Sequence, residues 1–217
     1  MAAGGLNSVL ERTRAAAERA GRDPAEITVV AVSKTVGPEE VLVAYEAGHR
    51  DFGENRAHEL AAKAAVLPND ITWHFVGTLQ SRKAKDVAPI AAVVHSVDRS
   101  SLLSSFAKQP SHGRLLLQVN LAHEEQKHGA DPAQVDSLLR QASDLGMTIS
   151  GLMLMPPLVT DPEDNRHWFR ELAELRGRLA SEWPGCSELS MGMTDDFEVA
   201  VEEGATLIRV GRAIFES

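Results

Sequence analysis

The stretch ITVVAVSK at residues 27–34 is a nearly continuous apolar run that ends in a lysine. Such runs are typical of parallel strands that are buried on both faces, whereas a strand with one solvated face alternates apolar and polar residues. The later runs LLLQV at 115–119 and LMLM at 152–155 have the same character. These runs predict a parallel sheet with both faces covered.

Runs of this kind alternate with helical patterns along the chain, which is typical of repeated βα units. The segment GPEEVLVAYEAGH at 37–49 has Pro at its start and Gly near its end, as crossover helices do. The eight predicted strands cover residues 27–34, 50–55, 72–77, 93–98, 114–120, 148–156, 188–193 and 206–211. Eight βα units predict a (β/α)8 TIM barrel with an extra N-terminal helix, in one α/β domain over 1–217, rather than an open doubly wound sheet.

The composition is that of a globular protein, with 43% hydrophobic and 24% charged residues. A formal charge of -9 argues against nucleic acid as a partner. No apolar run approaches the ~18 residues that cross a bilayer, and the N-terminus lacks the apolar core of a signal peptide. We therefore expect a cytoplasmic protein with no membrane partner. The single cysteine, Cys186, is expected to be a bystander rather than a nucleophile.

Polar residues follow several predicted strands, and in a barrel the chemistry lies at the carboxyl ends of the strands. Lys34 ends the first strand and Asn55 the second, while His74 lies inside the third. Because Lys34 follows VVAV, we expect its side chain in the barrel mouth, where partial desolvation favours the neutral amine that condenses with aldehydes. The alternative is a structural lysine paired with a carboxylate such as Glu54.

The segment SMGMTDD at 190–196 joins a predicted strand to a helix. Gly192 allows close backbone approach, N–H groups at a helix start attract anions, and Ser190 and Thr194 offer hydroxyl donors. This combination predicts one side of a phosphate site. The alternative is simple N-capping of the helix by Thr194 or Asp195.

The eighth predicted strand adds Gly211 and Arg212 to this phosphate site, as barrels often do at strands seven and eight. Within that strand, Arg209 lies between Ile208 and Val210, so its permanent charge needs a partner. A buried carboxylate is one candidate partner. The other is a cofactor ring nitrogen, which a guanidinium contacts only by donating a hydrogen bond, so the ring stays unprotonated and is a weak electron sink.

Two other classes of site have little support. The histidines of HEEQKH at 123–128 are five residues apart, which departs from the zinc motif H-E-x-x-H, so no metal site is predicted. No G-x-S-x-G elbow occurs, so a serine hydrolase is not predicted.

Together with their flanking residues, these positions resemble the pyridoxal phosphate homeostasis protein family, relatives of the N-terminal barrel of bacterial alanine racemase. The match spans nearly the whole chain. The matching stretches are AVSKTV at 31–36, FGENR at 52–56, WHFVGTLQSRKAK at 73–85, HSVDR at 95–99, QVNLAHEEQKHG at 118–129, GLMLMPP at 151–157, LSMGMTDDFEVAVEEGAT at 189–206 and IRVGRAIF at 208–215.

The resemblance implies a barrel of the alanine racemase N-terminal type and pyridoxal 5′-phosphate (PLP) as cofactor, held as a Schiff base on Lys34. It implies phosphate contacts from one group of residues, which are Ser190, Gly192 and Gly211. It also implies that Asn55 lies beside the cofactor and that Arg209 contacts the pyridine nitrogen. The chain departs from many relatives, which have Thr or Ser at position 212 and Gly at position 216, but Arg212 is still expected to bind phosphate.

A two-base racemase needs a base on each face of its substrate, and alanine racemase takes its second base, a tyrosine, from a separate β-domain. The only tyrosine here, Tyr45, lies in a crossover helix, where a packing role is expected. We therefore predict a PLP carrier or buffer in intracellular PLP homeostasis, without robust catalysis, with PLP-dependent apo-enzymes as candidate partners. Absence of the racemase's second domain favours a monomer.

Two alternatives stay open at this point. One is a small PLP-dependent amino-acid racemase or transaminase that uses Lys34 as its base. The other is a barrel with a degenerate site that only binds other proteins.

Overall fold

The computed structural model describes residues 2–122, 124 and 128–216. Within these residues eight parallel strands pair in chain order, and the last pairs with the first to close a barrel. The strands are β1 Thr28–Val32, β2 Asp51–Glu54, β3 Thr72–Phe75, β4 Val93–Val97, β5 Arg114–Val119, β6 Ile149–Leu154, β7 Glu188–Ser190 and β8 Leu207–Val210. The predicted (β/α)8 barrel is confirmed, and the open doubly wound sheet is wrong.

All eight predicted strands are present, but each ends one to three residues before its predicted end. The residues that follow the observed strands, several of them polar or glycine, lie outside the sheet. Lys34 consequently lies in a turn beyond β1. The difference is largest at β7, where Met191, Gly192 and Met193 lie outside the strand.

Helices alternate with the strands, as the sequence pattern predicts. In the described residues they are α1 Ala2–Arg19, α2 Pro38–Glu46, α3 Ala57–Ala64, α4 Ala84–Val87, α5 Ser100–Phe106, α6 Val135–Asp144, α7 Arg166–Leu179, α8 Phe197–Glu202 and α9 Arg212–Phe215. The extra helix α1 packs against α2, α8 and α9. No helix among the described residues is long and apolar enough to cross a membrane.

The core has two layers. The larger lies between the strands and the helices and includes Phe52, Phe75, Phe106 and Phe169. The smaller fills the inside of the barrel and consists of Val30, Val32, Val93, Leu116, Met153 and Leu207. The strands also carry buried polar side chains, among them His74, His95, Ser190 and Arg209.

Candidate functional site

A cavity of about 410 Å³ opens at the carboxyl ends of the strands, where barrels place their chemistry. Its volume lies within the ~300–1,000 Å³ that is usual for small-molecule sites. Five of the residues predicted from the sequence line it, namely Lys34, Asn55, Arg209, Gly211 and Arg212. The other two, Ser190 and Gly192, are buried and are not part of its lining.

Lys34 lines the cavity, but its side chain is exposed to solvent. The expectation that apolar surroundings would withdraw this amine from water is therefore wrong. Its alternative partner, Glu54, bonds elsewhere, because Glu54 Oε1 accepts hydrogen bonds from Lys63 Nζ and from Ser33 Oγ. No carboxylate in the described part of the chain pairs with Lys34. The Lys34 amine is accordingly accessible to a molecule in the cavity.

Buried polar contacts anchor the turn that contains Lys34. Lys63 Nζ donates to the backbone oxygen of Ser33 at 2.6 Å, and Ser33 N donates to the backbone oxygen of Gly53 at 2.9 Å. Glu54 is fully buried and Lys63 nearly so. Breaking such a pair leaves an uncompensated buried charge. These contacts therefore fix the backbone from which the Lys34 side chain extends.

Arg209 on β8 is a buried cation beside the cavity, with only 4% of its surface exposed. Its Nη1 donates to Ser190 Oγ at 2.6 Å and its Nη2 to the backbone oxygen of Leu154 at 2.9 Å. Burial lowers the Arg209 pKa to about 10, against the opposing charge of Asp196. The predicted alternative of an ion pair with a buried carboxylate is not found among the described residues. A guanidinium has more N–H donors than these bonds use, so Arg209 can donate to an acceptor in the cavity.

A chain of hydrogen bonds leads from Ser190 through the barrel interior. Ser190 Oγ lies 2.7 Å from His95 Nδ1, His95 Nε2 lies 2.9 Å from His74 Nδ1, and His74 Nε2 lies 3.1 Å from Asp51 Oδ1. Burial lowers the pKa of His95 well below its usual value, and the nearby charge of Arg209 lowers it further, so His95 is neutral. Sequence analysis missed His95, whose only signal was a polar residue within the apolar strand VVHSV.

Gly192, after β7, has a φ of 90°, in the left-handed region that favours glycine. A Cβ at this position would lie 2.6 Å from the Cβ of Ala200, on α8. Residue 192 must therefore be glycine for the loop to pack this closely against α8. Gly192 therefore contributes to the site by setting the path of the loop backbone, and it does not line the cavity.

The N-cap residue of α8 is Asp196, directly before Phe197. The predicted N-capping by Thr194 or Asp195 is therefore wrong. Asp196 Oδ1 accepts from the backbone N of Met193 at 2.7 Å, and its Oδ2 accepts from Asn165 Nδ2 at 2.8 Å. Burial raises the pKa of Asp196, although both of these bonds oppose the shift. With Asp196 holding the loop, the Thr194 side chain is left to line the cavity.

Arg212 and Asp195 form an ion pair at the rim of the cavity, with Arg212 Nη2 donating to Asp195 Oδ2. Their side chains are 62% and 70% exposed. The guanidinium is thus already engaged by a carboxylate. An anion that enters the cavity must compete with Asp195 for this charge.

Asn55 separates the main cavity from a neighbouring one of about 220 Å³, because it lines both. Its Oδ1 is buried and has no hydrogen-bond partner among the described residues. A buried acceptor without a partner is costly. Asn55 is therefore suited to accept a hydrogen bond from a bound molecule.

The residues considered for other chemistry lie apart from the cavity lining. Cys186 is buried, which raises its pKa to about 11, as expected for an unreactive thiol. Tyr45 Oη donates to Asp70 Oδ1 at 2.8 Å on the outside of the barrel. No three His, Cys, Asp or Glu side chains gather as metal ligands in the described ranges. His123 and 125–127, in the segment HEEQKH, lie outside those ranges.

Several known proteins are similar to this chain in sequence and in structure. No protein-family model matches the chain. A pyridoxal phosphate homeostasis protein from Aquifex aeolicus is 40% identical, with 97% of this chain and 95% of that protein covered. The structure of PipY from Synechococcus elongatus PCC7942 with PLP bound has a TM-score of 0.83 and 36% identity, and the match covers 99% of this chain and 100% of that one.

A more distant structure has the same barrel. Lysine/ornithine decarboxylase from Vibrio vulnificus has a TM-score of 0.71 at 18% identity, over 94% of this chain and 62% of that one. At this identity the likeness concerns the fold alone.

Proposed function

Because the chain belongs to the pyridoxal phosphate homeostasis protein family, we propose that it binds PLP in the cavity at the carboxyl ends of its strands. The observation that supports this most strongly is that the accessible amine of Lys34, the buried guanidinium of Arg209 and a group formed by Thr194, Gly211 and Arg212 line one cavity. PLP presents an aldehyde, a pyridine nitrogen and a phosphate, so each of these groups has a complementary partner.

Lys34 is the proposed covalent anchor. Its Nζ would hold the cofactor at the aldehyde carbon as a Schiff base, with the aldehyde oxygen and two amine hydrogens released as water. The anchored turn at Ser33 holds the lysine backbone in place for this step. Because Lys34 is exposed, other amines can reach the same carbon and displace it.

Arg209 and Asn55 are proposed to orient the ring. Arg209 has N–H donors to spare and no acceptor site, so it can only donate to the pyridine nitrogen. Asn55 Oδ1, which has no hydrogen-bond partner within the described ranges, is available to accept from the ring hydroxyl. Bound in this way, the cofactor supplies an aldehyde for exchange with amines rather than strong stabilisation of a carbanion.

The phosphate is proposed to lie between the β7–α8 loop and the end of β8. Thr194, Gly211 and Arg212 line this part of the cavity and are the residues we propose for direct contact. Ser190 and Gly192, expected to hold the phosphate, are proposed to act indirectly. Ser190 holds Arg209 through its hydroxyl, and Gly192 sets the path of the loop.

We further propose that the protein carries or buffers PLP and passes it to other amines, including PLP-dependent apo-enzymes, without robust turnover of its own. The described residues lining the cavity include no tyrosine or histidine that would act as a second base opposite Lys34. A donor-only contact at the pyridine nitrogen weakens the electron sink that racemases and transaminases use.

Absorbance spectroscopy tests binding at Lys34. Purified protein is mixed with PLP, desalted and compared with Lys34→Ala and with Lys83→Ala, a control for an exposed lysine that pairs with Asp86. We expect a retained absorbance band in the wild type and in Lys83→Ala, and none in Lys34→Ala. A band of equal strength in Lys34→Ala would contradict the proposed anchor.

A second assay separates a carrier from an enzyme. The PLP-loaded protein is incubated with single L-amino acids, and chirality and keto-acid formation are followed beside free PLP. A carrier gives rates no higher than free PLP. Turnover above that background, lost in Lys34→Ala, would favour a small racemase or transaminase.

A further inference from the structure

The hydrogen bonds from Asp51 to Arg209 connect the two ends of the barrel. Asp51 is the first residue of β2, and its side chain is one-third exposed at the end opposite the cavity. Arg209 lines the cavity. His74, His95 and Ser190 lie between them and are fully buried. His95 is within hydrogen-bond distance of both His74 and Ser190.

When each histidine ring carries a single proton, the chemistry of the two ends gives one direction for every bond between them. Arg209 has only donors, so Ser190 Oγ accepts from it, and the Ser190 hydroxyl proton points to His95 Nδ1. The neutral His95 then has its proton on Nε2 and donates to His74 Nδ1. His74 Nε2 donates in turn to the Asp51 carboxylate, which has only acceptors.

We propose that Asp51, His74, His95 and Ser190 form a positioning relay for Arg209, which couples the base of the barrel to the ring of the bound cofactor. Each bond in this aligned chain polarises the next, so Ser190 Oγ becomes a better acceptor for the Arg209 guanidinium. The relay rests on the proposed function, because it acts on PLP through Arg209. Its members are positioning residues, since none of the four lines the cavity.

Alternative partners for the two histidines are few in the described part of the chain. The charged and titratable groups around them are His49, Arg114 and Glu188, in addition to Asp51 and Arg209. Arg114 and Glu188 form an ion pair with each other, and His49 Nε2 contacts the backbone oxygen of Asp51. Within the described ranges, the hydrogen bonds of the relay therefore connect Asp51, at the end of the barrel opposite the cavity, to Arg209.

Nitrogen-15 NMR of the histidine rings tests the relay with and without PLP. Before PLP is added, we expect His95 to be protonated on Nε2 alone. Adding PLP is expected to shift the ring nitrogens of His74, which does not line the cavity. With PLP added until the Lys34-dependent absorbance band is saturated in each variant, Ser190→Ala should abolish the His74 shift and Ser190→Thr should restore it. Ser96→Ala is the matched control, because Ser96 is a buried serine whose hydroxyl has no partner among the described residues.

Asp51→Asn tests the same coupling from the exposed end, and it decides the question if Ser190→Ala does not fold. Because coupling between sites is reciprocal, we expect Asp51→Asn to weaken PLP binding ~5-fold or more. The control variant Asp86→Asn should leave the PLP affinity unchanged.

The outcomes distinguish the relay from the proposed function. An absorbance band without a His74 shift, or a shift that persists in Ser190→Ala, overturns the relay and leaves PLP binding intact. Unchanged affinity in Asp51→Asn overturns it as well. If the wild type forms no band, the proposed function fails, and a His95 proton on Nδ1 in the PLP-free protein overturns the hydrogen-bond order itself.

Discussion

Lys63 on α3 forms a buried ion pair with Glu54 on β2, and the same ammonium donates to the backbone oxygen of Ser33. Ser33 directly precedes Lys34 in the chain. One lysine is therefore structural and buried, while the other is exposed beside the cavity. Glu54, the carboxylate considered as a partner for Lys34, is thus paired with Lys63, and no carboxylate in the described ranges pairs with Lys34.

Removing the ammonium of this pair should be costly. Lys63→Met leaves the Glu54 carboxylate buried without its counter-ion, so we expect the free energy of unfolding to fall by ~3–5 kcal/mol. Urea denaturation measures this loss. Lys83→Met, at an exposed ion pair, should change it by at most ~1 kcal/mol.

The double variant Glu54→Leu/Lys63→Met removes both charges and should lose less stability than the two single variants combined. Equal losses in Lys63→Met and Lys83→Met would contradict a structural role for the buried pair.

The ion pair between Arg212 and Asp195 should tune phosphate affinity. Asp195→Asn removes the competing carboxylate, and its negative charge, from the cavity rim, so we expect PLP to bind several-fold more tightly. Arg212→Ala should weaken binding and reduce its dependence on salt. Titration at two salt concentrations measures both effects.

Because this pair is exposed, neither variant should change the free energy of unfolding by more than ~1 kcal/mol. Weaker PLP binding in Asp195→Asn would show that Asp195 assists the site instead of competing with the ligand.

His95 should make stability dependent on pH. A histidine whose pKa is lowered by folding takes up its proton more readily in the unfolded chain, so its contribution is complete above its ordinary value of 6.5 and is lost as pH falls below that value. One such proton changes the free energy of unfolding by up to ~1.4 kcal/mol per pH unit. His49, whose pKa burial also lowers, acts in the same direction.

We expect His95→Asn to reduce this slope between pH 6.5 and 5 in urea denaturation, whereas His58→Asn, at an exposed histidine, should not. An unchanged slope in His95→Asn would mean that His95 takes up its proton equally readily in the folded and the unfolded protein.

Cys186 should react slowly with thiol reagents in the folded protein. Its raised pKa of about 11 leaves little thiolate at pH 8, and its side chain is buried. We expect modification with a chromogenic disulfide to be at least ~100-fold slower than in urea-unfolded protein. Equal rates in the two states would place this thiol at the surface.

The barrel could be predicted because the apolar character of several of its strands is visible in the local sequence. ITVVAVSK and LLLQV each identify a strand on their own. Strand ends were less accurate, because leaving the sheet depends on local contacts such as those of Gly192 with α8. The lining positions Lys34, Asn55, Gly211 and Arg212 were predicted from their places at strand ends, and Arg209 from its place within an apolar strand.

Partners across the barrel could not be predicted in the same way. Ser190 contacts His95, which is 95 residues away in the chain, and that contact depends on which strands face each other across the interior. Sequence position alone likewise did not reveal that Arg212 is paired with Asp195 or that Glu54 is paired with Lys63. The members of these pairs meet only in the folded chain, and the residues next to them in the sequence do not indicate the partner.

The most direct test of the central proposal is borohydride reduction of the PLP-loaded protein followed by peptide mass mapping. Reduction converts a Schiff base into a stable amine, so the modified lysine can be identified. We predict that the added mass lies on the peptide containing Lys34. Added mass on other lysines, or none on the Lys34 peptide, would contradict the proposal that Lys34 anchors the cofactor.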